Sequence, residues 1–394
     1  MPPRVFPRSA AIVGLSCALL AFTWQFLTVR YNYHSDWSGL FCTGENAVLP
    51  PVVAAERPYR FAGAPGWDGQ LYHAIAHDPL QQHGTVSYFA GARLRYRRIL
   101  IPALAYALSG GNDARVDVAY RSVVILFFAL GGCWLSWLLQ AAAKPPALGL
   151  LFLLLPASIA SLDREAVDVG LLAFCCAFVV YTKHVRSPKI LYAVLLLAGL
   201  VRETGLLLVA AYCGWLLLQR DFRKAALFAT AAAPTFGWYL FVHTRTPPTS
   251  EYASIAIPFS GVLHRLTHSM EYFGNPLKVR FIQGMDFLAA AGVLAALIWA
   301  FRIAWLRRLD PVRLAIILFA LLGLLAWEPG NWLEALDYAR ILSPLLLFEA
   351  LLCADGSGFV AVAPLCMVLP RFGIQMGWQV LGVLKGLAGG NPVS

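Results

Sequence analysis

The chain has 394 residues, of which 59% are hydrophobic and 13% charged, about half the charged share of an ordinary soluble domain. A formal charge of +10 sits in short loops between apolar blocks, which argues against a nucleic-acid-binding face and for the basic-loop asymmetry of a membrane protein. Cys17, Cys133, Cys175, Cys176, Cys213, Cys353 and Cys366 lie in apolar runs and only Cys42 in a polar loop, so no disulfide framework is expected.

Continuous apolar runs predict helices, the form in which backbone groups are satisfied inside lipid. The first run follows Arg4 and Arg8, shows no convincing cleavage site, and reads as a retained helix. In chain order the expected spans are 10–30, 119–140, 146–161, 166–182, 189–201, 204–219, 222–243, 284–304, 310–327, 340–353 and 357–372, about eleven in all. Several fall short of the roughly 20 residues of a full crossing, which points to a thinned or invaginated outer face. The stretch 99–108 is shorter still and reads as a surface helix. Glycines after Pro370 leave the tail as a surface helix or a disordered end.

Four basic groups should face the cytoplasm: Arg4 with Arg8; Lys183, His184, Arg186 and Lys189; Arg220, Arg223 and Lys224; Arg302, Arg307, Arg308 and Arg313. The N-terminus is then cytoplasmic, in what would be a bacterial inner membrane. The expected organisation is one integral membrane domain, 1–394, with a first extracytoplasmic loop at 31–117 carrying short surface helices. A helical module at 119–243 and C-terminal helices at 284–372 complete it. Most acidic residues near a membrane edge then fall on the outer face, as a site requires.

The first loop holds the most informative stretch, Gly66-Trp67-Asp68-Gly69-Gln70-Leu71-Tyr72-His73. A carboxylate on a glycine-flanked turn before an amphipathic helix is well placed as a general base; the plain alternative is a helix N-cap. Arg95-Tyr96-Arg97-Arg98 suits phosphate or headgroups. Asp163-Arg164-Glu165 and Arg202-Glu203 stand at helix junctions, as sugar and phosphate ligands or as structural ion pairs. Asp337-Tyr338-Ala339-Arg340 offers Arg340 as a phosphate holder or as a snorkelling arginine. Nucleotide, hydrolase and metalloprotease signatures are absent, and no ligand spacing calls for a metal or other cofactor.

Four segments in order resemble the GT-C superfamily of integral membrane glycosyltransferases, in particular the mannosyltransferases that add the second mannose of GPI anchors and their bacterial relatives. They are Trp67 to Ala76, Tyr96 to Leu104, Pro156 to Val167, and Leu197 to Leu206. The resemblance implies an all-α polytopic, GT-C-like membrane fold. It also implies inverting transfer of a sugar, a hexose such as mannose, from a polyprenyl-phosphate donor to an acceptor hydroxyl on the outer face. Asp68 would be the catalytic base, with Asp36 as a rival. Gln70, Tyr72, His73, Asp163, Arg164, Glu165 and Glu203 would bind substrate, and Arg97, Arg98, Arg202 and Arg340 the donor phosphate. The expected partners are the lipid-linked sugar, membrane lipids and an acceptor, with no nucleic acid. A membrane transporter or lipid flippase is the alternative.

Overall fold

The computed structural model describes residues 7–89, 91–185, 187–247, 257–272, 274–305, 309–325, 332, 334–352 and 358–389. Arg4, Arg186, Arg307, Arg308 and most of the 327–333 segment lie outside the described residues. Within them the chain is almost wholly helical, as the apolar runs require. The only strands among the described residues are a two-residue parallel pair, Thr43–Gly44 (β1) beside Arg60–Phe61 (β2).

Helix α1, Arg8–Asn32, starts after an extended Pro7. It packs on α6, Asp113–Ala141, through small residues: a Cβ on Gly14 would come 2.6 Å from Ala129 O, and one on Gly132 would meet Cys17 Sγ at 2.3 Å. Small residues at such a crossing let two helix backbones approach where lipid supplies no hydrophobic drive. The other face of α1 leaves Ile12, Leu15, Leu19, Phe22 and Phe26 exposed, a surface suited to lipid. Between these helices lie α2 (Pro51–Ala55), α3 (Asp68–His77), α4 (Ala92–Arg97) and α5 (Leu100–Ser109).

After α6 the chain runs through a tight helical turn, Pro146–Leu154, into α7, Pro156–Arg164, with a 62° bend between them. Helix α8, Asp168–Val179, is buried along its whole length and forms the centre of the molecule. Then follow α9 (Pro188–Val201), α10 (Leu206–Leu218), α11 (Phe222–Ala229), α12 (Ala233–Arg245) and α13 (Ser260–Thr267). The C-terminal part is α14 (Pro276–Ala304), α15 (Pro311–Leu325), α16 (Ala335–Ile341), α17 (Ser343–Leu352) and α18 (Ala363–Leu387).

Among the described residues four helical runs are each long and apolar enough to cross a bilayer: α1, α6, α14 and the near-continuous Phe222–Arg245. The bent pair before α8 would make a fifth. Among the described residues eleven full spans are not reached. Leu100–Ser109, Pro188–Val201, Glu203–Leu218, Pro311–Leu325 and Ser343–Leu352 are apolar but short. Even Glu203–Leu218 reaches only about 24 Å at 1.5 Å per residue, against a hydrocarbon core of roughly 30 Å.

Two further boundaries differ from expectation. The run 340–353 is split, because α16 stops at Ile341 and α17 restarts at Ser343. The tail is neither separate nor irregular: α18 continues through Pro370 to Leu387. It is held at the end of α1 by Asn32 Nδ2 donating to Gln379 O at 3.2 Å. Buried Asp286 of α14 joins the same layer, accepting from Arg371 Nε and from the Tyr272 hydroxyl, both at 2.6 Å.

Candidate active site

Local backbone geometry sets the position of Asp68. Gly66 turns at φ +83°, a left-handed value that favours glycine. Trp67 is extended and forms the N-cap of α3, so Asp68 is the first helical residue and not the cap. A Cβ on Gly69 would lie 2.2 Å from Arg164 O and 2.9 Å from Phe41 O. The start of α3 is therefore seated on the end of α7 at a distance only glycine allows. Arg164 lies over the Trp67 ring at 3.3 Å and holds it flat. Asp163 accepts from Arg164 Nε at 3.0 Å and from Gln379 Nε2 at 2.7 Å. Trp67, Asp163 and Arg164 line a cavity of about 180 Å³ together with Tyr33, Cys42 and Phe61.

A ring of alternating charge surrounds Asp68. Its Oδ1 lies 3.0 Å from Arg95 Nη2, and its Oδ2 accepts from Arg340 Nη2, also at 3.0 Å. Arg340 stands 3.6 Å from Asp337 and 4.0 Å from Asp168. Asp168 in turn pairs with Arg202. Arg98 grips Glu203 with two bonds of 2.9 and 2.6 Å and donates to the Tyr72 hydroxyl at 2.9 Å. Four arginines (95, 98, 202 and 340) face four carboxylates (68, 168, 203 and 337), so the ring is formally neutral.

The field inside the ring is uneven. Burial alone would raise the Asp68 carboxyl, but the guanidiniums of Arg340, Arg95, Arg98 and Arg202 outweigh it and hold it well below the usual carboxylate range. Burial likewise would lower Arg98, and Glu203 beside it holds it above its ordinary value. Asp68 is thus a permanent anion whose two oxygens are both engaged by arginine. Such a carboxylate is a weak base until its arginines find another anion.

Of the residues expected at the site, the structure brings Asp68, Tyr72, Arg98, Arg202, Glu203 and Arg340 into one ring, with Asp163 and Arg164 behind Trp67. Others turn elsewhere. Arg97 lies over the Tyr239 ring at 5.2 Å and contributes nothing to the ring around Asp68. Gln70 accepts from Gly44 N at 3.1 Å and donates to Pro65 O at 3.2 Å, bracing the loop. His73 points away, stacked on Phe41 with 3.9 Å between ring centroids.

Glu165 takes a left-handed turn (φ 46°) that swings its side chain away from the ring toward Gln25, whose Nε2 donates to it at 2.9 Å. Burial pushes this carboxyl up to about 8. Asp36 accepts from Ser38 N at 2.9 Å and Ser38 Oγ at 2.6 Å, which makes it the cap of the turn Trp37–Phe41.

Sequence reasoning placed Arg95 in the basic cluster without assigning it a role at the site, and passed over Asp168. One signal was available for the first: Arg95 and Arg98 are three apart, a spacing that turns both to one side where Arg98 closes α4, whereas Arg97 points elsewhere. Asp168 opens α8 just past the run Asp163-Arg164-Glu165 and drew no attention beside it.

An open apolar groove of about 550 Å³ lies among α5, α9 and α12. Ile99, Ala103, Leu200, Trp238 and Phe241 line it. Ile99 follows Arg98 directly, and Leu200 stands two residues before Arg202. No protein-family model, characterised protein or solved structure matches the chain.

Proposed function

We propose that this protein is a membrane glycosyltransferase that takes a sugar from a polyprenyl-phosphate carrier, with Asp68 as the base. The observation that supports the reading is a carboxylate held by two arginines, together with an apolar groove lined by Ile99 and Leu200, sequence neighbours of the ring residues Arg98 and Arg202. A lipid chain in the groove would present its phosphate to Arg98 and Arg202, with Arg95 and Arg340 within the same ring.

In this reading the donor phosphate competes with Asp68 for Arg95 and Arg340. Phosphate binding frees the carboxylate, and the loss of two guanidinium contacts restores its basicity. The acceptor hydroxyl then attacks the anomeric carbon as the carbon–oxygen bond to the phosphate breaks. Its proton passes to Asp68, and the electron pair leaves on the lipid phosphate, where the arginines stabilise the added charge. Attack opposite the leaving group inverts the anomeric centre. The side of the membrane follows from the basic loops, which favour an outer-facing ring. The 180 Å³ cavity beside Trp67 is a suitable room for the sugar or acceptor.

The test is transfer of radiolabelled sugar from polyprenyl-phosphate donors to membrane acceptors, comparing wild type with Asp68→Asn at equal expression. Transfer by wild type that is lost in the variant supports both class and base. Transfer that survives moves the base elsewhere in the ring. One observation favours a lipid transporter instead: α9 and α10 are interrupted at Arg202-Glu203, and interrupted helices are frequent in transporters. Lipid flipping by reconstituted protein, without sugar transfer from any donor, would establish that alternative.

A further inference from the structure

Helix α3 carries a second set of polar groups on the face turned away from the arginines. His73 and His77, one turn apart, are fully buried, with their Nε2 atoms 3.3 Å apart. Glu56, at the end of α2, brings Oε2 to 3.2 Å from His73 Nε2 and Oε1 to 3.4 Å from His77 Nε2. Asp117, near the start of α6, brings Oδ1 to 2.7 Å from His73 Nε2. One ligand atom from each of the four residues lies within 4.8 Å of all the others. We propose that Glu56, His73, His77 and Asp117 bind one divalent transition-metal ion of the zinc class, which staples the first loop to α6.

Spacing supports this. Four ligands at the 2.0–2.1 Å of zinc–nitrogen and zinc–oxygen bonds stand about 3.3 Å apart at the corners of a tetrahedron. His73 and His77 stand 3.3 Å apart, and Glu56 reaches His73 at 3.2 Å with one oxygen and His77 at 3.4 Å with the other; Asp117, at 2.7 Å from His73, sits closer and would move outward by about half an ångström to join the set. Ligand chemistry narrows the ion. Two imidazoles with two carboxylates suit zinc or a neighbouring first-row metal, whereas magnesium and calcium take all-oxygen sets.

The surroundings of the rings agree. His77 Nδ1 lies 2.8 Å from Asp113 Oδ1. With that nitrogen protonated, Nε2 turns its lone pair toward His73, the carboxylate–histidine–metal arrangement that orients ligating imidazoles. The His73 ring is oriented by Phe41 instead, lying parallel to it within 2°. Glu56 and Asp117 keep about a quarter of their side chains exposed, which gives an ion a route in and out.

The ion would act by position. It joins α2, α3 and α6, and α3 begins at Asp68. The site needs no assumption about sugar transfer, because both histidines face away from the charged ring.

The test is metal content by mass spectrometry of the full chain, purified in detergent through a tag without histidines and without chelator. About one zinc or first-row metal per chain is expected, lost in His77→Ala and strongly reduced in Glu56→Gln. EDTA should lower the melting temperature of wild type by several degrees, and added Zn²⁺ should restore it. If His77→Ala fails to fold, Glu56→Gln and the wild-type measurement still decide. Wild type that is substoichiometric both as purified and after dialysis against Zn²⁺ overturns the proposal. The four residues would then be an ion-pair network around a protonated His73. Metal that stays bound in both variants overturns it equally.

Discussion

Replacing Asp68 by asparagine keeps the side chain's shape and removes its charge. In the resting ring each Asp68 oxygen holds a guanidinium at 3.0 Å. A donor phosphate must displace the carboxylate before Arg95 and Arg340 can turn to it. A hydrogen bond to a charged group contributes about 1.5–3 kcal/mol when shielded and less where water reaches it. The Arg95 contact is partly open to solvent and the Arg340 contact is nearly closed, but the phosphate replaces what it displaces, so the net competition is worth about 1–2 kcal/mol in total, a factor of roughly 5–30 in Kd. Asp68→Asn should therefore bind a polyprenyl phosphate about 5–30-fold more tightly than wild type while transferring no sugar. Equilibrium binding of a radiolabelled short-chain polyprenyl phosphate in detergent measures this directly. Unchanged or weaker binding by folded Asp68→Asn would mean that phosphate does not compete with Asp68, and the mechanism would fail.

Three other substitutions probe the parts of the site separately. Gly69→Ala puts a Cβ 2.2 Å from Arg164 O, an overlap that must displace the start of α3. It should cost about 1–3 kcal/mol in thermal stability and on the order of 100-fold in transfer; a wild-type melting temperature would show that α3 is not seated as described. Asp36→Ala removes the cap on Ser38 N and should cost about 1 kcal/mol with transfer retained, whereas lost transfer in folded protein would revive Asp36 as the base. Glu165→Gln tests the buried carboxyl. Its folded value near 8 stands above the ordinary 4.5, so the folded state binds more protons and wild type loses stability as pH rises through that window. The melting temperature of Glu165→Gln relative to wild type should climb from pH 5 to pH 8 and then level off, and a flat difference would contradict the assignment.

Helices were the legible part of this fold, because long apolar runs admit little else. Their lengths were less so. Apolarity does not say whether a run continues, and 340–353 breaks at Leu342 where α16 turns Arg340 toward Asp68. Asp68 and Arg340 could be named individually, but nothing in the sequence links residues so far apart; only the fold brings them to 3.0 Å. In Arg95-Tyr96-Arg97-Arg98 the three arginines look alike until the fold sorts them by direction, and the side chosen by Asp68 excludes Arg97. Glu165 turns toward Gln25 for a backbone reason: a left-handed residue reverses the direction its neighbours suggest. His73 and His77 stand one turn apart on any helix, yet Glu56 and Asp117 come from separate elements, so the cluster has no continuous signature.

Asp68, Asp168 and Glu203 share one feature beyond their arginine partners: each is the first residue of a helical segment. The first turn of a helix exposes amide groups with no partner inside the helix, and the aligned peptide dipoles leave about half a positive charge at that end. For α3 and α8 this favours the acidic residue seated there. It also means that charge neutrality among the side chains does not make the ring electrically neutral. When an incoming anion displaces a carboxylate, the helix ends keep their sign and stay where they are, with no side chain to rearrange. The backbone thus supplies a permanent part of the attraction, independent of pH, that survives replacement of any one arginine.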